Sequence, residues 1–224
     1  KRVFNRFIKR KINLFFYFFN MSIKNFLHKQ VYLPIIHYYD LFQDLKRGIN
    51  TRENCEITEL GFSVDIGNKY QPLGYKRLIE VIKFTFKLNP KSCFIDAGCG
   101  KGRPLFVAME NGFKNVLGID ISKKLLKICK INLSKYNHNY KLICTDIDNF
   151  IFPTGSLTIF LFNPFNEKKL KKLKSKIISN NNTGLIIYFN PKHDYVFSNL
   201  HTVRIFNWYN FGLFKEVCKI YKIN

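Results

Sequence analysis

The run Phe94-Ile95-Asp96-Ala97-Gly98-Cys99-Gly100-Lys101-Gly102-Arg103, followed by Gly118-Ile119-Asp120, constrains the fold more than any other stretch of the chain. It reads as a buried strand, a glycine turn, a helix start, and a second strand ending in an acid. An α/β sheet holds an adenosine-bearing ligand in this way. The glycines are spaced G-x-G-x-G, and Arg103 stands where a dinucleotide-binding loop has its third glycine. A pyrophosphate resting on the helix end is therefore poorly supported, and a smaller zwitterionic ligand fits better.

Strands and helices alternate around that turn. Between Gln71 and Leu88 the residues Leu73, Leu78, Val81, Ile82, Phe84 and Phe86 have helical spacing, and Asn89-Pro90 ends the element. Cys93 to Ala97 is the first strand. Pro104 suits the first turn of the next helix, Leu105 to Met109 supply its apolar face, and Gly112 stops it. The second strand, Asn115 to Ile121, leads into a helix that Ser122 can cap and that Leu125, Leu126, Cys129 and Leu133 anchor. Tyr140 to Thr145, Leu157 to Phe162 and Gly184 to Phe189 supply three more strands. A helix over Glu167 to Ser179 turns Leu170, Leu173 and Ile177 inward, and its six lysines are expected to face water. Thr202 to Phe206 and Phe214 to Tyr221 form a closing antiparallel pair. The prediction is an α/β fold: a doubly wound, mostly parallel seven-stranded sheet with helices on both faces. Its ligand belongs at the carboxyl ends of the strands, near the switch in strand order.

A chain of 224 residues, 46% apolar, can bury one substantial core with a short extension. Residues 1–64 are expected to form a basic, aromatic N-terminal arm and cap, and residues 65–224 the ligand-binding domain. The arm alternates bases with bulky apolar residues, as in Arg6 to Lys11 followed by Leu14 to Phe19, and no acid precedes Asp40. Such a segment suits an anionic membrane surface, a phosphate backbone, or the apolar face of the domain it caps. The apolar run Ile12 to Phe19 is far too short to cross a bilayer, no signal-peptide cleavage site follows it, and Met21 is a candidate start.

The formal charge of +22, from 37 Lys and Arg against 15 Asp and Glu, favours contact with a polyanion such as RNA or with an anionic membrane. An AT-rich genome also favours Lys, but does less to explain the scarcity of acids. Six cysteines show no C-x-x-C pairing and none has a His at zinc spacing, so no metal is expected. Reduced, buried thiols point to a cytoplasmic protein, in contact with a membrane only peripherally.

Three acids, Asp96, Asp120 and Asp146, follow three successive strands, in register with the glycine loop. In this the chain resembles the class I S-adenosylmethionine-dependent methyltransferases, whose first motif reads D-x-G-x-G-x-G, over roughly residues 65–195. The resemblance implies a Rossmann-like methyltransferase fold with S-adenosylmethionine as cofactor. Asp96 and the backbone of Gly98, Gly100 and Gly102 would border its methionine end, and Arg103 would pair with the methionine carboxylate. Asp120 would accept from the ribose hydroxyls, Asp146 would face the adenine amino group, and Ile121 and Ile147 would flank the ring. Tyr70 and Tyr75 are candidates to wall the site, Tyr75 as a cofactor contact.

The segments Phe42 to Thr51, Tyr70 to Tyr75, Asp96 to Arg103 and Phe162 to Phe165 resemble those of small, largely uncharacterised bacterial methyltransferases with D-x-G-x-G-K-G-R and Y-N-P-F motifs. Asn50 and Arg47 depart from that group's usual Asp and Tyr. Asn163, Pro164 and Phe165 stand where amino-directed methyltransferases carry N-P-P-Y, so they are the candidate catalytic residues, and an amine of a protein or small molecule is the implied acceptor. The second Pro is absent and Phe165 replaces Tyr, which supports an RNA or DNA base less well. His193 is the best-placed candidate base. A non-catalytic nucleic-acid- or membrane-binding module that keeps the fold is the alternative of another class.

Overall fold

A computed structural model describes residues 21–63, 69–210 and 214–223. The expectations for Arg6 to Lys11, for Leu14 to Phe19 and for a domain boundary at residues 64 and 65 lie outside the described residues. The described residues divide into two compact units: one holds residues 40–63, 69–206 and 217–223, the other residues 21–39, 207–210 and 214–216.

The larger unit contains the sheet. Its strands are β1 (Cys93–Ala97), β2 (Asn115–Asp120), β3 (Tyr140–Cys144), β4 (Ser156–Phe162) and β5 (Thr183–Phe189), joined by most of β6 (Thr202–Asn210) and β7 (Phe214–Ile223). The order is β3-β2-β1-β4-β5-β7-β6. The first five are parallel, and β7 runs antiparallel to β5. This is the predicted seven-stranded sheet, with strand ends differing from expectation by a few residues. The order reverses between β1 and β4, so the crevice outside their carboxyl ends is the place where an open α/β sheet binds a ligand.

The helices are α1 (Leu33–Arg47), α2 (Tyr75–Leu88), α3 (Arg103–Glu110), α4 (Lys123–Leu133) and α5 (Glu167–Ser179). Local chemistry sets several of their ends. Ser122 caps α4 by accepting from the Leu125 N–H at 3.2 Å, Asn166 caps α5 through the Lys169 N–H at 3.0 Å, and Pro104 sits in the first turn of α3. Side chains alternate across the sheet. Ile95, Ile159 and Leu161 pack with Leu170, Leu173 and Ile177 of α5 on one face. On the other, Phe94 meets Phe113 at 5.1 Å and Phe160 at 6.2 Å between ring centroids.

The connection from β3 to β4, residues 145–155, contains no helix. Its carbonyls therefore need partners from elsewhere. Lys176 of α5 supplies them, donating to Phe150 O at 3.2 Å and also to the carbonyls of Ile147 and Asp148. Lys169 and Lys172 pair with Asp146 at 2.6 Å and Asp148 at 3.0 Å, and Lys174 donates to Val196 O at 2.6 Å. The expectation that the lysines of this helix face water is thus corrected for Lys169, Lys174 and Lys176, which are half-buried.

In the smaller unit, residues 21–27 and a π-helical turn, His28–Tyr32, lead into α1. The His28 and Tyr32 rings stack at 5.4 Å.

Candidate active site

A cavity of about 490 Å³ opens at the carboxyl ends of β1, β2 and β4, within the usual range for small-molecule sites. Parallel pairing sets Asp96 of β1 beside Gly118 of β2 and Phe160 of β4. The chain then turns sharply, and the N–H groups of Gly98 and Cys99 both donate to Ile119 O, at 2.8 and 2.9 Å. Gly98 has a φ of 96°, and a Cβ there would lie 2.8 Å from Pro164 Cβ, so glycine lets the β1 and β4 loops meet.

Asp96 is buried, and its Oδ2 has no hydrogen-bond partner. Burial, reinforced by the neighbouring Asp120, pushes its carboxyl well above the usual range. Asp120 Oδ2 accepts from Gly100 N at 2.8 Å and Oδ1 from Ser122 N at 2.8 Å. Burial raises this carboxyl too, and the N–H groups of Ser122, Gly100 and Ile121 partly offset the rise. A carboxylate offers about four lone-pair positions, so Asp120 keeps acceptor capacity. Asp146 behaves differently. Burial alone would raise it, but the Asp148 N–H and the Lys169 ammonium outweigh that and hold it below the usual carboxylate range.

Asp96, Gly98, Asp120, Ile121, Asp146, Ile147, Asn163, Pro164 and Phe165 all border the cavity. Three of the expected residues lie outside this lining. Gly100 and Gly102 do not line it. A Cβ on Gly100 would lie 2.3 Å from the Tyr70 ring, and one on Gly102 would lie 2.6 Å from Cys129 Sγ, so both glycines make room for protein atoms. Tyr75 does not line it either: it is fully buried, and its hydroxyl donates to Asp44 Oδ1 at 2.5 Å. Tyr70 takes the lining position instead.

Arg103 borders the cavity, and two nitrogens of its guanidinium donate to protein groups. Nε donates to Thr51 Oγ1 at 2.7 Å, and Nη1 donates to Asp40 Oδ2 at 2.7 Å and Leu73 O at 2.8 Å. Nη2 lies 3.7 Å from Asp44 Oδ1, and the group stacks over Tyr75 at 4.3 Å. Arg103 thus has ion pairs within the protein, while its Nη2 makes no hydrogen bond. Lys101 is likewise buried and donates to the carbonyls of Arg52 and Glu53. The two bases of the glycine motif thus hold residues 40–53 in place.

Asn163 follows β4 with a φ of 44°, and Asn190 follows β5 with a φ of 43°; each precedes a proline. The Asn163 side chain donates from Nδ2 to Asn190 O and accepts from Lys192 N at 3.2 Å. Asn190 in turn exchanges hydrogen bonds with the Val217 backbone. Asn190, Lys169 and Lys192 border the cavity and were missed as site residues. A repeated Asn-Pro after two successive strands was the available signal. His193 does not border the cavity, and its Nδ1 lies 3.3 Å from the Tyr195 hydroxyl.

Among the described residues, no three His, Cys, Asp or Glu side chains gather as a metal ion requires, and no helix is long and apolar enough to cross a membrane.

Residues 94–179 match the family model of a methyltransferase domain. The matched stretch spans β1 through α5 and contains the three strand-end carboxylates. No curated protein matches the chain. An N-methyltransferase of Bradyrhizobium japonicum, in complex with S-adenosyl-L-homocysteine, superposes with a TM-score of 0.54 at 11% identity, covering 66% of this chain and 85% of that one. A tRNA (uracil-54, C5)-methyltransferase of Pyrococcus abyssi gives 0.53 at 15% identity, over 68% of this chain and 40% of that one. Magnesium protoporphyrin IX methyltransferase of Synechocystis, with bound S-adenosylmethionine, gives 0.52 at 14% identity, over 66% and 79%. These likenesses establish a Rossmann-like methyltransferase fold.

Proposed function

We propose that the protein is an S-adenosylmethionine-dependent methyltransferase whose acceptor is a nitrogen, carried by a protein amine or a small molecule. One observation carries the reading: Asp96 presents an unpartnered buried oxygen beside Asp120, where the strand order reverses. An ammonium and vicinal hydroxyls are donors suited to that pair, so these residues fit the cofactor. Bound, it supplies an electrophilic methyl group on a sulfonium.

The roles then divide by element. Asp96 and Gly98 hold the methionine end, Asp120 the ribose, and Ile121, Ile147 and Asp146 the adenine. Asn163, Pro164 and Phe165 position the acceptor, with Asn163 tied to the β5 loop through Asn190 and Lys192. Phe162 to Phe165 and Asp96 to Arg103 also resemble the Y-N-P-F and D-x-G-x-G-K-G-R motifs of the small bacterial methyltransferases. Positioning and exclusion of water are the protein's main contributions to rate. A nucleic-acid base is the second reading, favoured by Lys69, Lys169 and Lys192 at the same cavity.

The test is incubation with methyl-labelled S-adenosylmethionine and fractionated cell extract, alongside calorimetry with S-adenosyl-L-homocysteine. Label in protein or small molecules is expected, and label in RNA or DNA selects the second reading. Asn163→Ala should lower turnover about a hundredfold while homocysteine-product affinity is retained. Absence of both heat and label would overturn the assignment.

A further inference from the structure

The smaller unit is unusual in what it leaves uncovered. Of residues 21–39 only His28 is buried. Phe26, Val31, Leu33, Ile35, Tyr38 and Tyr39 are exposed, Phe26 by 63%, Ile35 by 59% and Tyr38 by 67%. The same stretch carries Lys24 and Lys29 and no acid. The unit's second piece brings the chain's only tryptophan, Trp208, next to an exposed Tyr209 with Lys215 over its ring at 5.8 Å.

Large apolar side chains gathered on one short segment mark a surface that meets something. A helix apolar on most sides is normally covered. Three occupants can be compared. A nucleic acid would take the lysines, but its phosphates have no use for Val31, Leu33 and Ile35. A second copy of the chain would cover the apolar residues, but would bring a charge of +22 against an equal charge. An anionic bilayer takes both: aliphatic residues enter the acyl boundary, lysines meet headgroups, and Tyr and Trp sit at the interface. Because no helix among the described residues is long and apolar enough to span, the segment would lie in the plane of the surface.

We propose that residues 21–39 are a peripheral anchor for an anionic phospholipid surface. The anchor is independent of the transfer reaction proposed above. Flotation of the full chain with phosphatidylcholine–phosphatidylglycerol vesicles and with pure phosphatidylcholine vesicles tests it. Binding to the mixed vesicles should exceed binding to the neutral ones at least about tenfold and fall as salt rises. The double variant Phe26→Asp/Ile35→Asp changes two exposed positions and should cut binding about a hundredfold. Lys24→Glu/Lys29→Glu should remove the preference for the anionic lipid. No flotation with mixed vesicles, unchanged binding by the Asp variant, or a sedimenting dimer that fails to float would overturn the proposal. Binding of polyuridylate that the Asp variant abolishes, with no lipid binding, would overturn it in favour of nucleic acid.

Discussion

Asp96 enters the glycine turn and Arg103 leaves it, and the two buried charges are handled in opposite ways. Around Arg103 opposite charges gather: Asp40 lies 2.7 Å and Asp44 3.7 Å from the guanidinium, and Arg52 lies 3.9 Å from Asp44, although Arg103 Nη2 and Arg52 Nε make no hydrogen bond. Around Asp96 no opposite charge does so: one oxygen has no partner and the neighbouring Asp120 is another carboxylate. A charge-paired buried network fixes structure, whereas a buried carboxyl that has only a like charge beside it suits a place where a ligand supplies what is missing. The contrast separates scaffold from site within one ten-residue motif.

The largest expected effect breaks the scaffold side. Asp44→Ala strips Thr51 and Tyr75 of a shared acceptor and Arg103 of a nearby carboxylate, and should cost about 4 kcal/mol, read from the urea midpoint. Tyr75→Phe removes only the hydroxyl and should cost about 2 kcal/mol, with cofactor-product affinity unchanged because the ring lies outside the cavity. The smallest effect lies on the site side. Asp96 has a raised folded pKa, so between the ordinary carboxylate value and that raised value the native state holds more protons than the unfolded chain. Stability therefore declines as pH rises through that window. Asp96→Asn should flatten the decline and raise stability at neutral pH, while weakening cofactor binding. Urea titrations across pH check the first effect and calorimetry the second. A steeper decline in the variant would contradict the contrast.

The sheet was legible because its signals are local. Glycine and proline punctuate the β1–α3 turn, Ser122 caps its own helix, and β4 is apolar apart from Ser156 and Thr158. What failed depended on partners far along the chain. Arg103 meets Asp40 across 63 positions, so nothing near Arg103 announces the pair. The usable hint was elsewhere: Asp40 and Asp44, the first two acids of a strongly basic chain, stand four apart on one helix and call for cations. Tyr70 and Tyr75 are equivalent to periodicity, and only the approach of a ring to Gly100 tells the cavity wall from the core. The lysines of α5 looked solvated because the helix-free connection they serve is visible only in three dimensions.

The inward contacts of Lys101 and Arg103 bear on how modular the matched segment is. Stretch 94–179 carries both cations, yet their counter-groups are Asp40, Asp44, Thr51 and the carbonyls of Arg52 and Glu53, all lying earlier in the chain. Grafted alone into another scaffold, it would arrive with two stranded positive charges at the mouth of its glycine turn. A fragment meant to keep the glycine turn intact therefore has to include residues 40–53 as well.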